Sequence, residues 1–279
     1  YKSTDQAVTL DPAYSDFNYQ MNDVAGVGND TIYAVGYSAF SVPTASRKST
    51  FFRSYNSGNT WQAVDIAVTT TTPAFTAPTI SQMAFPSRLI GYVAGSRNAI
   101  YKTTDGGTTW TSINPFPALN QFPTGFPNTA ITYTDIQALD NNTVFVVGNM
   151  FTNASVRRVY RSQDGGASWV DITGNIAAIA PVGNLNGVLF HDVNNGYVVI
   201  PGGALLKTNN GGASWTLDMA PTGMIFNNLA FAPRTVPAGV SMANRKLFIS
   251  GLGVASTGAA IMEYGDTSKY NVSSTEALT

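Results

Sequence analysis

Short apolar stretches with strand-like composition recur along the whole chain, and glycine, proline and asparagine separate them. The segment Thr31–Tyr37 shows the pattern, because β-branched and aromatic residues dominate it and an Asn-Asp turn precedes it. Similar stretches follow at Ile90–Gly95, Thr143–Gly148 and Gly196–Ile200. Short strands repeated in this way, with turn signals between them, predict an all-β fold.

A second pattern closes each group of strands: two apolar residues and a cation lead into a short polar segment that ends on tryptophan. The leads are Phe51-Phe52-Arg53, Ile100-Tyr101-Lys102, Val159-Tyr160-Arg161 and Leu205-Leu206-Lys207. The polar segments, called box 1 to box 4, are residues 54–61, 103–110, 162–169 and 208–215. Their tryptophans are the four in the chain and follow one another at intervals of 49, 59 and 46 residues. A recurrence at this period indicates an array of small structural units.

Each box has the composition of a hairpin turn that is held by its own side chains. Glycine supplies the positive φ that a tight turn needs, and the Asp or Asn and the hydroxyl residues can bond to backbone amides. The tryptophan would bury a large apolar face between neighbouring units. The structural residues predicted on this basis are Asn56, Gly58, Trp61, Asp105, Gly107, Trp110, Asp164, Gly166, Trp169, Asn210, Gly212 and Trp215. A calcium loop of the EF-hand type would need further carboxylates and a closing Glu, which the boxes lack.

These boxes resemble the Asp-box, or BNR, repeat of sialidases, sortilin-type receptors and the photosystem II assembly-factor propellers. The general pattern in those proteins is Ser/Thr-x-Asp-x-Gly-x-Thr-Trp or the Asp-Gly-Gly form of box 2 and box 3. The resemblance implies a β-propeller in which each box forms the turn between the third and fourth strands of a blade. It also implies that the boxes are structural and lie away from any active site.

The strand pattern then predicts a five-bladed β-propeller of four-stranded antiparallel blades, folded as one domain over residues 1–279. The predicted blades are about 22–66, 80–113, 131–172, 186–218 and 227–264. The fifth blade has Asp266 at the box position but lacks the glycines and the tryptophan. Residues 6–11 resemble the strand that follows box 4, so we expect this N-terminal strand to pair with the last blade and close the ring. The alternative is that residues 1–21 form a surface tail.

Composition limits the kinds of partner and the cellular locations that we expect for this chain. Charged residues make up 11% of the chain and the net charge is −1 without a basic stripe, which argues against nucleic acid. No apolar run approaches the ~20 residues of a membrane helix, so we expect no membrane insertion. The low charge and the many hydroxyl and amide side chains favour a secreted or cell-surface protein. The chain begins at Tyr1 rather than Met, which a removed signal peptide would explain.

Long connections are predicted to cluster on the face that carries the links from second to third strands and from blade to blade. They are 38–49, 67–79, 114–130, 149–156 and 173–186. Binding residues often lie on such loops, and exposed aromatic side chains often anchor partners. The candidates are Phe40, Phe75, Phe116, Phe122, Phe126 and Phe151. The alternative is that these phenylalanines pack into the top of the ring.

Catalysis is less well supported by the residues. The resemblance to sialidases implies three arginines, a Tyr–Glu pair and an acidic Asp, but the Arg-Ile-Pro signature is absent, and Arg53 and Arg161 occupy the cation position, which we expect to face solvent. A propeller glycosidase would need two carboxylates at the ring's mouth, for which Asp23, Asp135 and Asp192 are the candidates. His191 is the single histidine, so neither a metal cluster nor a cofactor is expected.

The sequence therefore predicts a secreted, non-catalytic propeller that presents its loop-rich face to a protein or glycan partner, within a larger cell-surface or secretion-associated assembly. One alternative is a glycoside hydrolase of sialidase-like or other propeller type. A second is a structural component of an extracellular filament or virion.

Overall fold

In its described residues, the computed structural model has twelve strands in the first three predicted units and eight in the last two. The described residues are 19–38, 48–66, 78–114, 130–150, 153–180, 183–200, 204–219, 225–231, 247–252, 259–264 and 271–272. Within them the one helix, α1 (Ile176–Ile179), has four residues, and no helix is long and apolar enough to cross a membrane.

The strands form five sheets of four strands each, and chain order is kept within every sheet. Sheet 1 contains β1 (Tyr19–Val27), β2 (Thr31–Ser38), β3 (Ser49–Ser54) and β4 (Gln62–Asp65). Sheet 2 contains β5 (Ile80–Ala84), β6 (Gly91–Gly95), β7 (Ile100–Thr103) and β8 (Thr111–Ser112). Sheet 3 contains β9 (Ile131–Ala138), β10 (Val144–Met150), β11 (Asn153–Ser162) and β12 (Val170–Asp171).

The last two sheets follow the same plan. Sheet 4 contains β13 (Gly187–Phe190), β14 (Gly196–Ile200), β15 (Ala204–Thr208) and β16 (Thr216–Met219). Sheet 5 contains β17 (Ile225–Phe231), β18 (Leu247–Leu252), β19 (Ala259–Tyr264) and β20 (Asn271–Val272). Four-stranded antiparallel sheets were predicted and are confirmed.

The fourth strand of sheet 5 differs from the prediction. Val272 pairs with Met262 and Asn271 with Glu263, so β20 occupies the edge of β19 at which we expected residues 6–11. The loop that joins β19 to β20 is short, and closing a short loop loses less chain entropy than bringing the first residues of the chain to its end. Residues 6–11 themselves lie outside the described part of the chain.

The chain divides into two compact units, Tyr1–Val144 with Gln163–Ser168 and Phe145–Ser162 with Trp169–Thr279. In the first unit, alternate residues of β2, β3, β5 and β6 form an apolar core. It contains Tyr33, Val35, Phe51, Ile66, Ile80, Met83, Val93, Ala99 and Tyr101. The core of the second unit contains Tyr197, Val199, Leu205, Leu229, Leu247 and Ile249. One domain over residues 1–279 stays a prediction.

Candidate functional site

The first residue of a box is a hydroxyl side chain that organises the turn. In box 2, Thr103 Oγ1 accepts hydrogen bonds from the amides of Gly107 at 2.8 Å and Asp105 at 3.3 Å, and donates to Asp105 Oδ1 at 2.8 Å. Thr208 makes the corresponding three bonds in box 4, and Ser54 makes them in box 1. A buried hydroxyl thus replaces the backbone partners that the turn residues lack.

The third residue of a box binds the far side of the turn. Asp105 Oδ1 accepts the amides of Thr108 and Thr109 at 2.9 Å each, and Thr109 Oγ1 donates to Oδ2 at 2.6 Å. Burial alone would raise the pKa of Asp105, but the hydrogen bonds from Thr109, Thr103 and the Thr108 amide lower it to about 2. Asp164 binds the amide and hydroxyl of Ser168 in the same way in box 3.

The second glycine of a box meets both a conformational and a steric requirement. Gly107 has φ +83° and Gly212 has φ +85°, a region that favours glycine. A Cβ on Gly107 would lie 2.1 Å from Phe51 Cε1, and one on Gly212 would lie 2.7 Å from Ile172 Cβ. Gly166 has φ +91°, and a Cβ there would lie 2.4 Å from Ile113 Cδ1. The side chain of the preceding sheet therefore packs directly on the glycine.

The four tryptophans differ in burial. Trp215 is 1% exposed; its indole Nε1 donates to the Ile172 carbonyl at 2.9 Å and its ring meets Phe190 edge-on at 6.1 Å. Trp110 is partly buried and packs edge-on against Phe51 at 5.2 Å. Trp61, which donates to the Gly58 carbonyl, and Trp169 are half-buried. Burial of the indole is therefore most complete at box 4, where the ring packs on Phe190 of its own sheet and its Nε1 binds the Ile172 carbonyl, directly after β12 of sheet 3.

The cation that precedes each of the first three boxes reaches the following box, which the sequence did not predict. Arg53 Nη1 donates to the Gly106 carbonyl at 3.1 Å, and Lys102 Nζ donates to the Gly165 carbonyl at 2.9 Å. In the second unit, Arg161 Nη1 lies 3.5 Å from the Gly211 carbonyl oxygen. The expectation that Arg53 and Arg161 simply face solvent is therefore wrong. The recurrence of the cation was visible in the sequence, but its carbonyl acceptor lies 50 to 63 residues away.

The six candidate phenylalanines, Phe40, Phe75, Phe116, Phe122, Phe126 and Phe151, all lie outside the described residues. The connection predicted at 149–156 is wrong, because β10 extends to Met150 and β11 begins at Asn153. Of the other long connections predicted for the loop-rich face, the structure describes most of residues 173–186, which include α1. The candidate site is therefore built on this connection and on the two strands, β11 and β12, that precede it.

Three side chains bind residues 173–186 to neighbouring strands and turns of the second unit. Asn175 Nδ2 donates to the Trp215 carbonyl at 3.0 Å, and its Oδ1 accepts the Trp215 amide at 2.7 Å. Asn149 makes the same two-point contact with Leu185, at 2.8 Å and 2.7 Å. The guanidinium of Arg157 donates to the carbonyls of Ala180 and Gly183, and burial lowers its pKa. Because paired donors and acceptors fix a loop in one geometry, we expect this connection to be rigid.

A cleft of about 360 Å³ opens beside the fastened connection. Its lining comes from Arg157, Arg158, Asp171, Thr173, Gly174 and Ala177. Arg158 Nε lies 3.5 Å from Asp171 Oδ2, and the two side chains are 38% and 48% exposed. Arg158 Nη1 also donates to the Arg157 carbonyl at 2.8 Å. The cleft therefore presents a donor and an acceptor that are both held in place and both reachable from solvent.

Sequence reasoning missed this cleft, although a signal was present. Arg157-Arg158 is a pair of adjacent arginines in a chain with 15 basic residues among 279. In such a weakly charged chain, two adjacent arginines that follow a long predicted connection indicate candidate binding residues.

The carboxylates considered for glycosidase chemistry are bound to backbone amides. Asp23 Oδ2 accepts the Met83 amide at 2.9 Å and its Oδ1 accepts the Val24 amide at 2.8 Å, while Asp192 Oδ1 accepts the amides of Asn194 and Asn195. Asp135 Oδ1 accepts the Ile136 amide at 2.8 Å. Among the residues the structure describes, no three His, Asp or Glu side chains are grouped so that they could hold a metal ion.

Comparison with known proteins identifies the architecture. A family model described as the DUF6242 beta propeller domain matches residues 69–260. The structure is similar to that of YCF48 bound to D1 peptide, with a TM-score of 0.57 and 16% identity, over 91% of this chain and 66% of that one. No curated protein matches the sequence.

Two enzymes have a similar architecture. The sialidase of Trypanosoma rangeli in complex with sialic acid gives a TM-score of 0.55 at 11% identity, over 92% of this chain and 48% of that one. The GH74 enzyme of Niastella koreensis gives a TM-score of 0.51 at 18% identity, over 90% of this chain and 46% of that one. The chain thus spans just under two thirds of the YCF48 chain and about half of each enzyme. At these identities the likeness concerns the fold, and the resemblance to Asp-box propellers is confirmed.

Proposed function

The chain belongs to the DUF6242 beta propeller family, and from that premise we propose that it is a secreted, non-catalytic binding module that holds a protein partner through its loop-rich face. The observation that carries the proposal is the cleft beside residues 173–186. Rigid placement of a binding group lowers the entropy lost when a partner binds. Here the Arg158–Asp171 pair is held on two strands and a fastened connection, yet both side chains remain exposed.

A peptide is the first ligand class to test. An Arg beside a carboxylate can bind the amide, carboxylate and hydroxyl groups of an extended segment. YCF48, a propeller of similar fold, has been seen bound to D1 peptide, which supports a peptide as a probe. A glycan partner is the other possibility that the composition favours, and the same assay separates the two.

The experiment is a parallel screen of the purified chain against a displayed random-peptide library and a glycan array. We expect peptides to be enriched, and binding to fall at least tenfold in the double variant Arg158→Ala/Asp171→Ala. The matched control is Lys48→Ala/Asp65→Ala, which removes another exposed ion pair, at 2.6 Å, without touching the cleft. Exposed pairs contribute about 0–1 kcal/mol, so both variants should fold. Equal binding by both variants, or enrichment of glycans alone, would overturn the proposal.

The absence of catalysis is part of the proposal and has its own test. We expect no product from a panel of sialosides and xyloglucan oligosaccharides incubated with the chain. Release of a sugar that is lost in Asp23→Asn or Asp135→Asn would replace the proposal with a glycoside hydrolase. Secretion is tested by fractionating the source cells and locating the full-length protein.

We also propose that the five sheets are five blades of one closed ring. The run of five similar sheets along the chain supports this proposal. A closed ring should unfold in one cooperative transition that is the same by tryptophan fluorescence and by far-ultraviolet circular dichroism. Two separated transitions would contradict it.

A further inference from the structure

Box 1 carries an aromatic residue where the other boxes carry small polar ones. Tyr55 stands at the position of Thr104, Gln163 and Asn209, and 47% of it is exposed. The turn itself does not use this side chain, because Ser54, Asn56 and Thr60 make its internal hydrogen bonds. A half-exposed aromatic side chain that the turn itself does not require suggests a contact with another molecule.

Two arginines flank the Tyr55 ring. The guanidinium carbon of Arg53 lies 5.7 Å from the ring centroid and that of Arg88 lies 6.0 Å from it. The ring also meets Tyr33 edge-on at 6.4 Å. Cations at these distances are attracted to the face of the ring, so the three side chains hold one another in position.

Both arginines are fixed by further hydrogen bonds within the first unit. Arg53 donates from Nε to Gln62 Oε1 at 3.0 Å and from Nη1 to Thr108 Oγ1 at 2.8 Å. Arg88 Nη2 donates to Asp30 Oδ1 at 2.8 Å and to the Thr31 hydroxyl. The residue after Arg88 is Leu89, which is 61% exposed. An aromatic ring and two ordered guanidiniums thus lie together, and the Leu89 carbonyl binds the amide of Gly106, where an added Cβ would lie 3.2 Å from the Tyr55 hydroxyl.

The charges at this surface favour an acidic partner. Of the two guanidiniums, Arg88 is paired with one carboxylate, Asp30, whereas the acceptors of Arg53 are neutral oxygens. The carboxylate of Asp105 is directed to its own turn, where Thr103, Thr108 and Thr109 bind it. Among the residues that the structure describes, Arg53 therefore has no carboxylate partner, and it lies beside the exposed ring of Tyr55.

We propose that Tyr55, Arg53, Arg88 and Leu89, here called the Tyr55 patch, form a second binding surface that takes an acidic segment of a partner protein containing an aliphatic residue. The carboxylate of the segment binds the guanidiniums, and its aliphatic side chain packs on Tyr55 and Leu89. Tyr and Arg are the residue types that most often dominate binding energy at protein interfaces. This surface shares no residue with the cleft at Arg158 and Asp171.

The test measures fluorescence anisotropy with two labelled peptides of equal length, one alternating Glu with Leu and one alternating Lys with Leu. We expect the Glu peptide to bind, the Lys peptide not to bind, and the affinity for the Glu peptide to fall as salt is raised. The double variant Tyr55→Thr/Leu89→Ser should weaken binding at least tenfold. Threonine stands at the same position of box 2, so this change suits the turn.

Two controls separate the possible outcomes. Leu217→Ser removes another exposed leucine, 46% exposed, and should leave binding unchanged. Arg158→Ala/Asp171→Ala should also leave it unchanged, so a failure of the cleft and a failure of the Tyr55 patch are distinguishable. The Arg Nε–Hε resonances of Arg53 and Arg88 should shift when the Glu peptide is added. No binding of the Glu peptide, or equal binding by wild type and the folded Tyr55→Thr/Leu89→Ser variant, would overturn the proposal.

Discussion

Box 2 and box 4 build the same turn around different chemical groups. In box 2 the central acceptor is the carboxylate of Asp105, and in box 4 it is the side-chain amide of Asn210. Both place Oδ1 2.9 Å from the backbone amide four residues later. The hydroxyl at that later residue differs in direction: Thr109 donates to the carboxylate, whereas Ser214 accepts from the amide nitrogen of Asn210.

The difference separates what the turn requires from what it tolerates. The turn requires an acceptor oxygen in a fixed position and a hydroxyl that can rotate to donate or accept. It does not require a negative charge. The negative charge of Asp105 affects a different property. It makes the stability of box 2 depend on pH, whereas the neutral amide of Asn210 in box 4 does not titrate.

The largest expected effect concerns a residue that both boxes share. Gly107→Ala and Gly212→Ala should each lower the free energy of unfolding by about 3 kcal/mol, because they combine a positive φ with a clash against a buried side chain. Gly28→Ala is the control, since Gly28 has φ +70° with no atom within 4 Å of an added Cβ; there we expect about 1 kcal/mol. Urea denaturation followed by tryptophan fluorescence measures all three. Equal losses at Gly28 and Gly107 would show that packing on Phe51 is unimportant.

Replacing Asp105, the central acceptor of box 2, tests whether the turn needs a carboxylate or only an acceptor oxygen, as in box 4. Asp105→Ala leaves the amides of Thr108 and Thr109 without a protein acceptor and should lower the free energy of unfolding by about 1–2 kcal/mol. Asp105→Asn should lower it by less than half as much, because Asn210 shows that an amide oxygen serves the turn. The same denaturation assay applies. An Asn variant as unstable as the Ala variant would mean that the charge is needed after all.

Much of this organisation was predictable from the sequence. The boxes, the strands before them and the four-stranded sheets follow from local composition and a repeat of about fifty residues. The four-stranded antiparallel sheets and the propeller family are confirmed. The box carbonyls that accept from Arg53, Lys102 and Arg161 were not predictable, because each lies in the next sheet. Asn98 is a further example of a side chain that binds across sheets, because its Oδ1 accepts the Ile131 amide at 2.8 Å. Asparagine is common in this chain, and no local pattern marks the residues that bind across sheets.

The pH dependence of stability should differ between the carboxylate and amide versions of box 2. The pKa of Asp105 is lowered from 3.8 to about 2 in the folded chain by its hydrogen bonds, against the opposing effect of burial. The unfolded chain therefore binds this proton at higher pH than the folded chain. The stabilisation is present above about pH 4 and is lost as the pH falls through about 2.

We expect wild type to lose more stability than Asp105→Asn on acidification over this range, as measured by urea denaturation at each pH. Asp23 provides the opposite case, since burial raises its pKa despite the amide hydrogen bonds of Met83 and Val24. Wild type should therefore gain stability relative to Asp23→Asn on acidification, as the Asp23 carboxylate becomes protonated. Parallel curves for wild type and Asp105→Asn would contradict the assignment.

The smallest effect concerns box 1, which has a serine where the other boxes have their first glycine. Ser57 has φ +56°, a conformation that side chains rarely adopt. Ser57→Gly should raise the free energy of unfolding by up to about 1 kcal/mol, reduced by the greater freedom of glycine in the unfolded chain. Arg97→Gly, at φ +61°, is the matched variant outside the boxes. Loss of stability in Ser57→Gly would show that the serine hydroxyl contributes more than the strain it brings.

In three places a cation that precedes one box donates towards a carbonyl of the following box. The pairs are Arg53 with Gly106, Lys102 with Gly165 and Arg161 with Gly211. The donor is synthesised first and its acceptor 50 to 63 residues afterwards. As the chain leaves the ribosome, each of the first three sheets therefore presents a cation whose carbonyl acceptor arrives with the next sheet. Duplication of one repeat would insert both a donor and an acceptor, which allows such an array to lengthen without redesign of its joints.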